Sequence, residues 1–182
     1  MMNIIWGLTG AGDFLPSVFE EMGEIVTGNK WKITAVLSIA AVRVVRLYRL
    51  WDTLETIADK LLVEKDANSP FIVGPIQKGR YKCLLIAPAS SNTVAKIACG
   101  IADTLITNAV SQANKANVEI FILPSDQEIG TKTAVLPDGK HLELTIRDID
   151  VENVNKLRKM KGISVLEKPE EIKPILERMI NV

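Results

Sequence analysis

The stretch Leu84 to Gly100, LLIAPASSNTVAKIACG, decides how the chain is read. A continuous apolar run stops at Pro88, and Ser90, Ser91, Asn92 and Thr93 stand together before a helical pattern begins. A short run with no polar alternation predicts a strand covered on both faces, as in a parallel sheet. From Asn92 a helix is expected, because apolar side chains at 94, 97, 98, 101 and 105 keep one face of a helical period. Gly100 and Asp103 predict a stop and a fresh N-cap within it. One hydroxyl is enough to cap a helix, so four small polar residues leave groups to spare.

The same strand-then-helix rhythm continues on both sides. Upstream, MNIIWGLTG (2–10) predicts a strand running into a glycine turn, and LPSVFEEMGEIV (15–26) an amphipathic helix with Pro16 in its first turn. WKITAVLS (31–38) predicts a second strand, and AAVRVVRLYRLWDTLETIADKL (40–61) one or two helices. Downstream, VEIFILP (118–124) is a strand, AVLPDGKHLELTI (134–146) a hairpin around Asp138 and Gly139, and DVENVNKLRKM (150–160) a capped helix. ISVLEKPEEIKPILERMI (163–180) closes with strand and helix. The irregular stretch 63–81 breaks the alternation, and its residues 66–81 are expected to form a lid or an interface arm. Alternating elements around buried strands define an α/β fold, a three-layer α/β/α sandwich with a Rossmann-like or flavodoxin-like parallel sheet. A single domain over 1–182 is expected, with the hairpin and the strand and helix of 131–182 packed on it.

Composition narrows the function classes. The 182 residues, 47% hydrophobic and 24% charged, suit one domain with a sizeable core. Twenty-two basic residues balance twenty-two acidic ones, which speaks against nucleic acid and anionic membranes as partners. No uninterrupted apolar run reaches about 18 residues, and no basic region precedes a long apolar run at the start, so a cytoplasmic location is expected. Cys83 and Cys99 lack metal-type spacing and lie on different predicted elements, which disfavours a disulfide framework and a metal site.

In a doubly wound sheet, ligands bind at the carboxyl ends of the strands, where strand order reverses. Three polar turns end strands here: GLTGAGD (7–13), LSIAA (37–41) and APASSNT (87–93). The first has glycines at 7, 10 and 12, not the G-x-G-x-x-G spacing, and no phosphate-binding G-x-x-x-x-G-K-[ST] occurs. The second strand ends in Ser38 rather than in the acid that would bind an adenosine ribose. Small hydroxyls and backbone amides at helix starts suit a single phosphate or a polar ring system, hence a mononucleotide, although any one such turn is commonly only a cap. The single histidine, His141, lies in the hairpin, and no G-x-S-x-G elbow or Cys–His pairing is present. Asp13 and Asp126 follow strand ends and could reach the site, though isolated acids there are commonly caps. Arg43, Arg46 and Arg49 place three cations along one predicted helical face, either a solvated face or a docking surface for an acidic protein.

With these turns in hand, the chain resembles the flavoprotein superfamily of peptidyl-cysteine decarboxylases, phosphopantothenoylcysteine decarboxylase and flavin prenyltransferases. APASSNT is similar to its Pro-Ala-Ser-Ala-Asn-Thr motif, with Ser91 in place of the alanine. Within it the chain resembles the archaeoflavoproteins, through WGLTGAGD, YRLWD, NSPFIVGPIQKGRY, LLIAPASSNTVAKIACGIADTLITNA, LPSDQEIG and VLEKPEEI. The resemblance implies noncovalent FMN, held by Thr9, Gly10, Ala11, Ser38, Ser90, Ser91, Asn92 and Thr93. It implies a homo-oligomer built from trimers, in some members a dodecamer, with flavin sites at subunit interfaces. The decarboxylases carry a catalytic histidine where this chain reads Gly74, Pro75 and Ile76, and a Pro-Ala-Met-Asn motif where it reads LPSDQ. The prenyltransferases carry an Arg-Glu pair where Ser125 and Asp126 stand. What the resemblance implies is therefore an FMN oxidoreductase or electron carrier, reduced by ferredoxin and passing electrons to an acceptor such as a dihydropterin. The alternatives are a decarboxylase-type lyase and a non-catalytic flavin-binding oligomer.

Overall fold

The computed structural model describes residues 1–28 and 30–180; the last two residues of the expected domain, 181 and 182, lie outside them. Six strands form one parallel sheet: β1 (Met2–Leu8), β2 (Trp31–Leu37), β3 (Lys60–Val63), β4 (Cys83–Ala89), β5 (Glu119–Pro124) and, later in the chain, β8 (Ile163–Val165). Their order is β3-β2-β1-β4-β5-β8, so the sheet grows outward from β1 in one direction and then from β4 in the other. The switch point falls between β1 and β4.

Helices cover both faces. On one side lie α1 (Leu15–Thr27), α2 (Ile39–Leu47), α3 (Trp51–Ile57) and α8 (Ile172–Ile180), sharing a core with Ile4, Trp6, Ile33 and Leu85. On the other lie α4 (Val73–Gln77), α5 (Ser91–Ala98), α6 (Leu105–Lys115) and α7 (Asp148–Arg158), packed on Ile5, Leu84, Ile86 and Ile120. Burial on two faces explains why all seven residues of β4 are buried and why its sequence shows no alternation. Trp6 packs edge-on against Phe19, with ring centroids 5.0 Å apart. Its indole N–H donates to the Ala87 carbonyl at 2.8 Å, which satisfies a buried donor and ties β1 to β4.

A separate antiparallel hairpin, β6 (Gly130–Val135) and β7 (His141–Ile146), pairs Val135 with His141 and turns through Gly139 at φ 82°. The predicted hairpin is therefore present, with its first strand beginning four residues earlier than the sequence pattern indicates.

Three local readings change. Residues 60–61 are strand and not helix: the chain leaves α3 at Ile57, the Asp59 carboxylate accepts the Ile33 amide at 2.8 Å, and Lys60–Val63 dock as a half-buried edge strand. Asp103 is not the N-cap of α6. It pairs with Lys96 at 2.8 Å, while Thr104 and Thr107 close a reciprocal capping box. Arg49 leaves the arginine face, because α2 ends at Leu47 and Arg49 takes a left-handed φ of 58°.

The irregular stretch is pinned down rather than loose. Glu64 Oε1 accepts the Leu105 amide at 2.9 Å, Asn108 donates to the Ala67 carbonyl at 2.8 Å, and Ile72 and Ile76 enter the core. Phe71 stands out from it, 71% exposed.

Candidate site at the switch point

The first, second and third polar turns follow β1, β2 and β4, and the sheet order puts these strands side by side. All eight sequence-predicted residues thus come together along one sheet edge. Their side chains have different tasks.

Thr9 is the joint. Pro88 has no N–H and the β4–β5 register shifts between Ile86 and Ala89, which leaves backbone groups at the end of β4 without regular ladder partners. Thr9 supplies them: its hydroxyl donates to the Pro88 carbonyl at 2.8 Å and accepts the Ser90 amide at 2.8 Å. With that hydroxyl 2% exposed as part of a buried residue and already committed, Thr9 shapes the site and does not point into it.

Ser90 is the N-cap of α5. Its hydroxyl accepts the Thr93 amide at 3.4 Å and lies 3.2 Å from the Thr93 hydroxyl. Helix α5 accordingly starts at Ser91, one residue before the expected start. The amides of Ser91 and Asn92 have no partner inside the helix, and the helix dipole favours negative charge beside them. The Asn92 side chain is exposed and makes no hydrogen bond among the described residues. Ser38 repeats the pattern on the opposite face of the sheet, accepting the Ala41 amide at 3.0 Å as N-cap of α2. Gly10 lies between these helix starts. A Cβ there would come within 2.8 Å of the Ala40 Cβ, so only glycine lets the turn after β1 approach α2 this closely. Ala11 is buried beside it.

Ser91 turns away from the amides. Its hydroxyl donates to Asp126 Oδ2, which also accepts the Ser125 hydroxyl at 3.1 Å. Asp126, which the sequence offers as an acid able to reach the site though such acids are commonly caps, therefore locks the end of β4 to the end of β5.

Sequence reasoning misses the residues that close the edge. Lys132 of β6 makes an ion pair with Asp13 at 2.9 Å, donates to the Ser125 carbonyl at 3.0 Å, and lies 4.7 Å from the centre of the Phe14 ring. The hairpin is thereby fastened across the turns after β1 and β5. Tyr48 sits where a Cβ on Gly12 would be 2.6 Å from its hydroxyl. Burial, reinforced by the Asp13 charge, raises its phenol pKa above the ordinary tyrosine value. Alternation along β6 is the one signal that could have found Lys132, since it shares an inner face with Ala134. His141 is exposed on β7, outside these contacts.

A doubly wound sheet whose switch point carries two capped helix starts, a crowded glycine and no nucleotide-triphosphate loop defines a class of mononucleotide-type α/β proteins. The family model for Flavoprotein matches residues 1–180, and the chain belongs to that family. It is 50% identical over 182 residues to an uncharacterized protein of Methanocaldococcus jannaschii, covering 100% of this chain and 98% of that one. It is 30% identical to the dihydromethanopterin reductase (acceptor) of the same organism, covering 94% of each chain. Among solved structures, DmrB of Burkholderia xenovorans in complex with FMN, described as a cubic protein cage for redox transfer, superposes with a TM-score of 0.82 at 29% identity. That match covers 99% of this chain and 96% of DmrB. No helix among the described residues is long and apolar enough to cross a membrane.

Proposed function

We propose that the protein is a cytoplasmic FMN oxidoreductase that takes electrons from ferredoxin and passes them to an acceptor of the dihydropterin class. The observation that carries it is the pair of capped helix starts, at Ser38 and Ser90, on opposite faces of the sheet, with Gly10 in the turn after β1 pressed against Ala40 of α2. This donor set fits a phosphate on a polyol chain: free amides at Ser91 and Asn92, a free Asn92 side chain, and a turn stripped of Cβ at Gly10. Ser38, Ser90 and Thr93 would order the donors, and Thr9 and Ser91 would brace them from outside. When bound, FMN supplies the interconversion of one-electron and two-electron transfer. Reducing one C=N bond of a dihydropterin to the tetrahydro level then takes two electrons, one from each of two reduced ferredoxins, and two protons drawn from water.

Relatives named for pterin reduction and for redox transfer support this assignment. The lyase alternative lacks its base, since Gly74, Pro75 and Ile76 occupy the helix where the decarboxylases carry histidine, and His141 is exposed elsewhere. Exposed apolar side chains, Ile39 at the start of α2, Phe71 and Val135 among them, suit burial by further copies in a trimer-based cage. The test is anaerobic mixing of the FMN-loaded protein with reduced ferredoxin, followed by dihydropterin. Bleaching and then recovery of the flavin band is expected, and a flavin that ferredoxin leaves oxidised would refute the carrier role.

A further inference from the structure

A cavity of about 450 Å3 lies between the turn after β5 and the first strand of the hairpin. Phe14, Asp126, Ile129, Lys132, Arg158 and Glu167 are among the residues that line it. It adjoins the candidate flavin turn through two of its own walls: Asp126 is bonded to Ser91, and Phe14 closes the turn that begins at Gly10. We propose that this cavity is the acceptor site, and that Asp126 binds the amino edge of an amino-oxo heteroaromatic ring of the pterin class. The inference rests on the redox function proposed above.

The chemistry of the lining selects the occupant. Arg158 bonds only to amide oxygens, of Gln127 at 3.2 Å and Asn155 at 2.9 Å, and forms no ion pair among the described residues, while Lys132 is already engaged with Asp13 and the Ser125 carbonyl. The acids are not. Asp126 takes both hydroxyls on Oδ2, and its Oδ1 accepts nothing among the described residues. The carboxylates of Glu128 and Glu167, which also line the cavity, make no ion pair there either. The unpaired charge of the lining is therefore mainly acidic. An amino-oxo pteridine presents adjacent ring N–H and amino groups, which a carboxylate accepts in parallel as it does a guanidinium. Phe14, Ile129 and Ile146 give apolar surface for the rings, and the volume falls in the range of small-molecule sites. A phosphorylated substrate would instead meet three carboxylates against the one unpaired guanidinium of Arg158. The positions that hold Arg-Glu in prenyltransferases, here Ser125 and Asp126, therefore serve a different ligand.

The experiment is equilibrium dialysis of dihydropterin against the purified protein, with bound pterin read by its own absorbance and FMN content measured separately. Two variants accompany the native chain, Asp126→Asn and Ile129→Trp; Ile129 is 69% exposed at the rim, so a larger side chain fills the cavity without entering the core. Asp126→Asn is expected to weaken binding about tenfold or more, as loss of a charge-assisted pair does. Ile129→Trp is expected to abolish it while FMN content stays native. If Asp126→Asn fails to fold, Ile129→Trp decides alone. Native protein that binds FMN but no dihydropterin, or equal affinity in native and Ile129→Trp proteins, overturns the inference. Tighter binding of dimethylallyl phosphate than of dihydropterin overturns it as well. A protein that binds the pterin and takes up no FMN would keep the inference and refute the flavin function.

Discussion

Lys132 on the hairpin and Asp13 after β1 form an ion pair at 2.9 Å, 31% and 21% exposed, across an edge where the chain has no ladder bonds to hold the two together. A half-screened pair that also satisfies the Ser125 carbonyl contributes more than a surface salt bridge, about 1–2 kcal/mol. Replacing Lys132 by Met keeps an apolar stem of similar length and removes both polar contacts together with the cation over the Phe14 ring. The hairpin should then open more often, and trypsin should cut after Lys140 faster than in the native protein. Equal cleavage rates would show that Lys132 does not fasten the hairpin.

The Ser90 hydroxyl should matter twice. Ser90→Ala removes the N-cap of α5, expected to cost about 1 kcal/mol, and disorders the amides of the next two residues. Thermal unfolding should register the first effect, and a several-fold rise in the FMN dissociation constant the second. Lost stability with unchanged FMN affinity would reduce Ser90 to a cap.

Trp6→Phe keeps the aromatic packing on Phe19 but leaves the Ala87 carbonyl without its indole donor. A buried acceptor stripped of its partner costs about 1–3 kcal/mol. A denaturant midpoint unchanged from native would contradict that bond as a tie between β1 and β4.

Acid should act through Asp150 at the start of α7. The hydrogen bonds from Arg147, at 2.7 and 2.8 Å, lower its pKa below the ordinary carboxylate value. A depressed folded-state pKa adds stability that is complete above the unfolded value near 3.9 and is lost as pH falls through the folded one. Asp150→Asn should therefore be less stable than native at neutral pH, with the gap closing only in strong acid. A gap that does not change with pH would contradict the pairing.

Electron delivery should depend on Arg43 and Arg46 of α2. Both are exposed and form no ion pair among the described residues, and the guanidinium of Arg46 lies 4.7 Å from the Trp51 ring centre. Charge reversal at both positions should lower the rate of reduction by ferredoxin and flatten its decline with salt. An unaltered salt profile would place the docking surface elsewhere.

The layered sheet was legible in the sequence because its strands are buried on both faces and its helices keep a clean apolar stripe. Strand β3 was not, since an edge strand of four residues, two exposed and two half-buried, has neither a continuous run nor an alternation. The Thr104 cap was misplaced by one residue because Asp103 offers the same chemistry and is drawn off by Lys96, a partner the pattern cannot reveal. At the site, the polar turns were visible by composition, but their division of labour was not. That Thr9 and Ser91 spend their hydroxyls on Pro88 and Asp126 depends on contacts over 79 and 35 positions of chain. Lys132 went unseen as a partner of the site, and Asp126 was legible only as an acid that could reach it, for the same reason: each acts through a neighbour distant in sequence.

FMN should sit at the edge between Ser38, Gly10 and Ser90. The visible absorption spectrum of the purified protein, before and after incubation with FMN and gel filtration, decides whether it does. A flavin spectrum with stoichiometric, noncovalent FMN released on denaturation is the predicted result. A colourless protein that retains no added FMN would contradict the claim.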